Sequence, residues 1–484
     1  MMVKSPDLPD CRYLSPPVVI RPANPTPKHS LYLSNLDDQS FLRFAIKYVF
    51  LFEKGVSLCN LKRSLAILLE HYYPFAGRLR VSAGGGGSSL EFDRKLEVDC
   101  NGEGAVFAEG FMDLTAEEFL QMADTPNRSW RKLLYRFENL GFLDIPPLLI
   151  QVTNLGCGGM ILCTGINHCL SDGVGTSQFL HAWAHLTTKP NLPLPIKPFH
   201  FRHVFIPRNP LHVTFPHPQY SKTTPSNNNN AFLLNLLRSL PLRPVSVVFS
   251  ATDILRLKRR CTPSLKCTSF EAVAAHTWQS WVHSLVIAAA ATNTTLIVSP
   301  LPPSLPVNLL FSVNVRRRML HPEPPAGFYG NAFVLACAQS TVKDLTANAA
   351  VGNIHHSVTL VQQAKAAVTE EYVRSVVDML DDRSVRTDMS ATLVISQWSK
   401  LGLEDLDFGE GKPVHMGPLA SDIYCLFLPV CGDLSAVRVL VSVPECVAQK
   451  FEFNMKSCCY SDDEDEDTIK NNNNNTNEQK NCFV

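Results

Sequence analysis

The sequence of 484 residues carries no surplus of charge: 44 basic side chains balance 44 acidic ones, and charged residues make up only 18% of the chain. A neutral chain of this kind lacks the electrostatic footprint of a nucleic-acid-binding protein. No two of its 15 cysteines form a Cys-x-x-Cys pair, so the usual ligand spacing of a zinc site is missing and no metal is expected. No apolar run reaches the roughly 18 residues that a membrane-spanning helix needs. Leu285–Ala291 comes nearest, and Thr292–Thr295 interrupts it. Met1–Leu14 has no apolar centre of the signal-peptide kind, and Cys482 stands third from the end, outside a prenylation box. No internal repeat is visible. Together these absences point to a soluble protein of a reducing compartment, most simply the cytosol, with no integral membrane association.

What is present is an ordinary globular balance, with 45% hydrophobic residues. The chain is long for a single core, so two domains are expected. Ser461–Asp467 contributes six acids, which leaves the rest mildly basic and suited to an anionic cofactor. Cys163, Cys337 and Cys425 sit in apolar stretches and read as small buried hydrophobes.

Periodicity and turn residues divide the chain as follows. Residues 1–30 form a proline-rich lead-in, and Leu36–Lys54 reads as a strand. Leu61–His71 has helical spacing, with Leu65, Leu68 and Leu69 on one face. A turn at Tyr72–Arg80 leads to a second strand, Gly84–Ser89 to a hairpin loop, and Leu90–Val98 to its return strand. Leu148–Thr153 and Gly159–Ile166 make a further pair. Residues 188–231 are dense in proline, end in Asn227–Asn230 and read as a linker with little to bury. Beyond it, strands are expected at Val245–Ser250, Leu309–Val315, Ala332–Ala338, Thr392–Gln397, Asp422–Leu428 and Val437–Val443. Helices are expected at Ala251–Arg260, Thr268–Ser284 and Pro444–Met455. This gives domains at 1–187 and 232–457, a linker at 188–231, and an acidic, asparagine-rich tail at 458–484 read as disordered.

Candidate chemistry lies in His168-Cys-Leu-Ser-Asp-Gly173, between the strand Gly159–Asn167 and a helix expected over Val174–Leu186. An imidazole with an unperturbed pKa near 6.5 is mostly neutral at pH 7 and can take a proton from an alcohol or amine as that group attacks a carbonyl. Two other readings stand beside this one. His168 can be a hydrogen-bonded core histidine, and Asp172 a helix N-cap. Gly173 and Gly175 weaken a helix interior, so a turn is expected here, in which the two side chains take different directions. Cys157 and Cys169 nearby raise thiol chemistry, with strand-end packing as the simpler account.

Three more segments complete the pattern: Val313-Asn-Val-Arg-Arg-Arg318, Gly327-Phe-Tyr-Gly-Asn-Ala332 and Asp407-Phe-Gly-Glu-Gly-Lys-Pro413. In this order and at these distances from His168–Gly173, they resemble the plant BAHD family of CoA-dependent acyltransferases. Leu33-Ser-Asn-Leu-Asp37, Tyr73-Pro-Phe-Ala-Gly-Arg78 and Thr268-Ser-Phe-Glu-Ala272 are similar to the same family, and the likeness runs from about Val18 to Met455. Within the family the chain most resembles members that move hydroxycinnamoyl groups onto long-chain alcohols or ω-hydroxy acids.

The resemblance implies an α/β fold of two chloramphenicol-acetyltransferase-like domains, each a mixed β-sheet flanked by helices, with a tunnel between them. It implies direct transfer from acyl-CoA, a co-substrate rather than a resident cofactor, to an alcohol, with His168 as catalytic base and no covalent intermediate. Asp172 would turn away from the substrate and pair with Arg316, locking the catalytic loop together with Gly173. Ser396 and Trp398 match positions by the acyl group, where Ser396 would donate to the oxyanion; an ordinary strand hydroxyl is the alternative for Ser396. Asp407, Phe408, Gly409 and Gly411 match a segment that shapes the fold and the CoA side. Glu410 replaces the family's tryptophan and is expected to face away from the CoA phosphates. Arg383 lies near where some relatives keep a carboxylate-binding arginine, but Asp381-Asp-Arg-Ser-Val-Arg386 also reads as a surface salt bridge. The resulting expectation is a monomeric O-acyltransferase. The rivals are an amine or small-alcohol acceptor, and a non-catalytic accessory relative. A peptide-forming condensation domain is disfavoured because such domains sit in longer chains.

Overall fold

The computed structural model describes residues 6–83, 94–222, 240–261, 264–291, 301–347, 354–421 and 424–457, with the backbone alone over 287–291. The expected loop at Gly84–Ser89, the start of its return strand, Asn227–Asn230 and the acidic tail lie outside the described residues.

Two mixed sheets dominate. The first runs Arg12–Tyr13, Ala105–Met112, Leu148–Leu155, Met160–Asn167, Ala45–Phe52 and His415–Pro418, with Val18–Ile20 also on Ala105–Met112. Ala105–Met112 and Leu148–Leu155 are parallel, and the other neighbours are antiparallel. The second runs Leu242–Phe249, Asp433–Pro444, Cys425–Val430, Thr392–Gln397, Pro306–Asn314 and Phe333–Thr341. Its strand Thr392–Gln397 is parallel to both neighbours.

Alternation along Ala45–Phe52 builds the first half. Tyr48, Phe50 and Phe52 point toward the helices Leu58–His71 and Gly173–Thr188, while Val49 and Leu51 face Phe119, Trp130 and Leu133 on the other side. Leu58–His71 forms where the leucine spacing predicts a helix, with Ser57 accepting from the Asn60 amide as N-cap and Leu61, Leu65, Leu68 and Leu69 buried. In the second half the long helix Ser269–Ala291 covers one sheet face through Val273, Trp278 and Val282.

Several expectations change in the structure. The strand read over Leu36–Lys54 is confined to Ala45–Phe52, because Ser34–Asp38 folds into a buried polar turn and Ser40–Leu42 into a 3-10 turn. The strand Leu242–Phe249 stops before Ser250, whose hydroxyl and Asp253 form a capping box for Ala251–Arg259. Pro444 ends a long strand, Asp433–Pro444, and the closing helix begins at Ala448. The linker stretch is not merely solvated: Arg202, Phe205 and Gln219 are fully buried, and Tyr220–Lys222 pairs with Val385–Thr387.

The division of the chain also includes an exchange. After Thr392–Gln397 the chain leaves the second sheet, and His415–Pro418 pairs with Ala45–Phe52 at the edge of the first. It then returns to the second sheet at Cys425. Residues 398–421, assigned by sequence to the C-terminal unit, therefore cover an edge of the first sheet, which would otherwise leave backbone groups unpaired. The free face of the second sheet meets the first half along a seam: Leu426, Leu428 and Leu440 join the core around Tyr48, and Leu310, Phe333, Leu335 and Val394 gather around Leu42.

Candidate active site

His168 sits where the first sheet ends. Its main-chain N–H donates to the Phe44 carbonyl at 2.9 Å, continuing the pairing of Met160–Asn167 with Ala45–Phe52. The Asn167 side chain then accepts from the Cys169 amide at 3.0 Å, which turns the chain out of the sheet. Asp172 starts the helix Gly173–Thr188 as its N-cap, accepting from the Gly175 amide at 2.9 Å.

The half-buried imidazole lies at the seam, 5.5 Å from the Phe44 ring of the first half and 5.9 Å from the Phe333 ring of the second. Nδ1 is enclosed and has no hydrogen-bond partner, so Nε2 is the accessible nitrogen. Burial lowers the pKa of His168. Its own carbonyl, Asp172, Asn331 and Asp37 oppose that effect without cancelling it. The ring is therefore neutral at pH 7 and able to accept a proton.

Asp172 makes both sets of contacts, to the helix start and to Arg316. While one oxygen caps the helix, Arg316 binds the carboxylate in a fork, Nη1 to Oδ2 at 2.8 Å and Nη2 to Oδ1 at 2.9 Å. The Ala332 amide adds a bond to Oδ2 at 3.0 Å. Arg316 also donates to the Phe328 and Gly330 carbonyls and to Asn314. The planar guanidinium is thus held on every side. Burial alone would raise the Asp172 pKa, but Arg316 and the two backbone amides together bring it below the usual carboxylate value. Both carboxylate oxygens are engaged, and neither is hydrogen-bonded to the imidazole.

This approach depends on glycine. A Cβ on Gly175 would lie 1.8 Å from the Tyr329 carbonyl oxygen and 2.7 Å from the Ser171 hydroxyl. Only a residue without a side chain lets the helix start press against Gly327–Ala332. At Gly173 an added Cβ would instead meet the Leu401 side chain at 2.8 Å.

Ser396 shares its strand face with Val394, which packs with Leu42, Leu310 and Phe333 beside His168. Ser396 is half-buried, and no hydrogen bond holds its hydroxyl. Trp398 is placed differently: it is buried in the first half's core, with its ring 4.5 Å from that of Tyr48, which fits a packing role. Arg383 binds Asp38, through its carbonyl at 3.0 Å and its carboxylate at 2.9 Å. The expected surface salt bridge is therefore an ion pair to a fully buried carboxylate, which Arg43 also engages at 2.8 Å. Cys169 is buried and donates to the Leu42 carbonyl, and burial raises its pKa well above the usual thiol value. It stays a thiol, so the packing account fits and nucleophilic chemistry does not.

The Asp407–Gly411 segment lies away from His168. Phe408 is buried 5.0 Å from the Trp183 ring, and Gly409 stands beside Thr188, the last residue of the 16-residue helix that begins after Asp172. At 1.5 Å per residue that helix spans about 24 Å. Asp407 Oδ1 accepts from the amides of Gly409 and Gly411, both at positive φ, and so closes a tight turn. Glu410 is exposed. The segment's described contacts are those of a structural turn.

Sequence reasoning singled out the segments holding Asp37 and Asn331 without assigning them a role, and it missed Arg202. All three are fully buried around the His168 loop. A charged residue in a proline-rich stretch carried no signal of burial. Among the described residues no group of His, Cys, Asp and Glu side chains is arranged to hold a metal ion, and no helix is long and apolar enough to cross a membrane.

Comparison with known proteins places this geometry. Residues 17–458 match the family described as Transferase family. Fatty alcohol:caffeoyl-CoA acyltransferase of Arabidopsis thaliana is 32% identical over 448 residues, covering 90% of this chain and 96% of its own. Benzyl alcohol O-benzoyltransferase of Petunia hybrida is 34% identical, covering 83% and 82%. Omega-hydroxypalmitate O-feruloyl transferase of Arabidopsis thaliana is 30% identical, covering 90% and 91%. Among solved structures, vinorine synthase shares the fold at 18% identity with a TM-score of 0.66, covering 93% of this chain and 98% of its own. The TRI101 protein of F. graminearum, complexed with coenzyme A and T-2 mycotoxin, does so at 16% identity with a TM-score of 0.70, covering 87% and 96%. With the family matched along nearly the whole body and the His168–Asp172–Arg316 arrangement in place, the chain belongs to the BAHD family of acyl-CoA-dependent acyltransferases.

Proposed function

We propose that the protein transfers an acyl group from acyl-CoA to an alcohol hydroxyl in a ternary complex, with His168 as general base. The observation that carries this is a neutral imidazole at the seam of two halves, with Nε2 accessible and Nδ1 enclosed. Nε2 takes the hydroxyl proton as the alcohol oxygen bonds to the thioester carbonyl carbon. The carbonyl becomes an oxyanion, to which the unpaired Ser396 hydroxyl donates. Collapse breaks the carbon–sulfur bond, and the imidazolium returns the proton to the leaving CoA sulfur. The CoA enters by one mouth of a passage between the halves and the alcohol by the other, with Asp407, Phe408, Gly409 and Gly411 shaping the CoA side.

The donor is a hydroxycinnamoyl-CoA and the acceptor a long-chain alcohol. Two of the reported relatives bear such names, and the wall beside His168 is apolar, formed by Leu42, Phe44, Leu310, Phe333 and Val394. The protein acts in the cytosol as a monomer. The 34% identity to a benzyl alcohol acylator favours one second reading, a small aromatic alcohol as acceptor.

Purified protein incubated with feruloyl-, caffeoyl- and benzoyl-CoA and a pool of alcohols and amines is expected to release thiol only with alcohols, and fastest with a long-chain one. Best turnover with benzyl alcohol would replace the acceptor, amide products would replace the reaction, and no acceptor-dependent release would leave an accessory protein. Glu410→Ala, at an exposed position, is expected to keep turnover and to shift stability by no more than about 0.5 kcal/mol in a denaturant titration. A larger loss of either would give the segment a role that its exposure does not suggest.

A further inference from the structure

The polar groups beside the His168 imidazole are its own main-chain carbonyl and the Asn331 side chain, and neither meets Nδ1 in full hydrogen-bond geometry. Nδ1 is enclosed without a partner, and both Asp172 oxygens are occupied elsewhere. A catalytic histidine is ordinarily aimed by a group bonded to its second nitrogen. Here no carboxylate does this, and the ring's direction depends on its own backbone carbonyl, on Asn331 and on the flanking Phe44 and Phe333 rings.

The backbone is held at two points. The Asn331 side-chain amide donates to the His168 carbonyl at 2.8 Å, and the Arg202 guanidinium donates to the Leu170 carbonyl at 2.9 Å. Asn331 bonds to Asp37, and Arg202 stands beside the same carboxylate as an ion pair without a hydrogen bond. Asp37 Oδ1 accepts from the Asn331 main-chain N–H at 2.9 Å and from the same side-chain amide at 3.0 Å, and its Oδ2 lies 3.8 Å from Arg202 Nε. Ser34 fixes Asp37 in turn through its amide at 3.0 Å and its hydroxyl at 2.6 Å. The Asn331 amide cannot be flipped, since its oxygen would then face two acceptors. The geometry points to Asn331 as a positioning residue of the acyl-transfer site, which sets the His168 peptide plane and so aims Nε2, with Asp37 as the anchor that orients Asn331 and Arg202. This rests on the proposed role of His168.

The roles follow from chemistry. An amide is the group that donates twice from one nitrogen without bringing a charge near the imidazole. A buried carboxylate with a nearby guanidinium can hold two donors at once. Asn331 lies 163 residues from His168 and 294 from Asp37, so the clamp joins both halves at the seam.

The test compares wild type, His168→Ala, Asn331→Ala, Asp37→Ala and Asp37→Asn, each normalised to folded protein by near-ultraviolet circular dichroism. Misaiming a base by about 1 Å costs on the order of 100-fold, so Asn331→Ala is expected to lower kcat by about that factor. KM for both substrates should stay within about threefold, because binding groups are untouched. Asp37→Asn keeps an acceptor oxygen for Asn331 and is expected to retain far more activity than Asp37→Ala. Wild-type kcat in Asn331→Ala, or a loss carried by KM alone, overturns the clamp while leaving acyl transfer intact. If wild type itself shows no acceptor-dependent thiol release, the acyl-transfer reading fails. The clamp is then judged by NMR of the imidazole: shifted His168 ring resonances in Asn331→Ala uphold it, and unchanged ones overturn it.

Discussion

His168→Ala is expected to remove acceptor-dependent thiol release by about 100- to 10,000-fold, the span of general-base catalysis, while the protein stays folded. The Asp172–Arg316 pair and the bond from Asn331 to the main-chain carbonyl of residue 168 do not use the ring, so its loss leaves both in place. The pH dependence has a definite sign. Burial lowers the His168 pKa below the ordinary imidazole value. Only the neutral ring accepts the proton, so activity falls as pH drops through that lowered value. The acid limb of kcat/KM is therefore expected below about pH 6.5. Stopped thiol-release assays from pH 4.5 to pH 8.5 in overlapping buffers would locate it. Wild-type turnover in His168→Ala, or an acid limb above neutrality, would end the general-base account.

Asp172→Ala is expected to cost more stability than any other single change at the site. Breaking a buried pair strands its partner charge, at about 3–5 kcal/mol. Asp172 and Arg316 are 7% and 15% exposed in their side chains, so solvent offers Arg316 little relief. The lost N-cap adds about 1 kcal/mol. Asp172→Asn separates the two effects: it keeps an oxygen for the Gly175 amide but loses the charge, and it should fall between wild type and alanine. Arg316→Ala with Asp172→Ala should cost less than the sum of the two, since neither charge is then stranded. Because the folded-state pKa of Asp172 is below its unfolded value near 3.9, the contribution is complete above about pH 5 and is lost as pH falls through the folded value. Urea midpoints for wild type and Asp172→Asn should thus differ equally at pH 6 and pH 8 and converge in acid. A gap that widens in acid, or wild-type melting of Asp172→Ala, would contradict the locking role. Turnover should fall with stability, chiefly in kcat, because the pair touches the loop and not the substrates.

Much of the site could be read along the chain because its local parts are short-range. The run Gly159–Asn167 predicts the strand found at Met160–Asn167, and Asp172 with Gly173 predicts a helix start. Leu61, Leu65, Leu68 and Leu69 predict a buried helix face. Other elements left weaker signals. Ala105–Met112 lies inside the first sheet and is buried on nearly every residue, so it shows little alternation. Glu370–Met379, by contrast, is amphipathic, with Tyr372, Val373, Val376 and Val377 buried, so its helix is legible in the sequence. Trp398 resembled a site residue by its place in the chain, yet its ring packs on Tyr48.

The amino-acid order alone determined the candidate histidine, the turn that carries it, the helix that follows and the family, because capping, periodicity and motif spacing act within a few residues. Only the tertiary structure decided which distant groups hold that loop. Asp172 meets Arg316 across 144 residues, Asn331 meets Asp37 across 294, and His415–Pro418 crosses to the opposite sheet. The physical reason is that a buried charge or amide takes whatever partner the packed halves bring to it. Hydrogen-bond satisfaction makes such a partner necessary, but no local pattern names it.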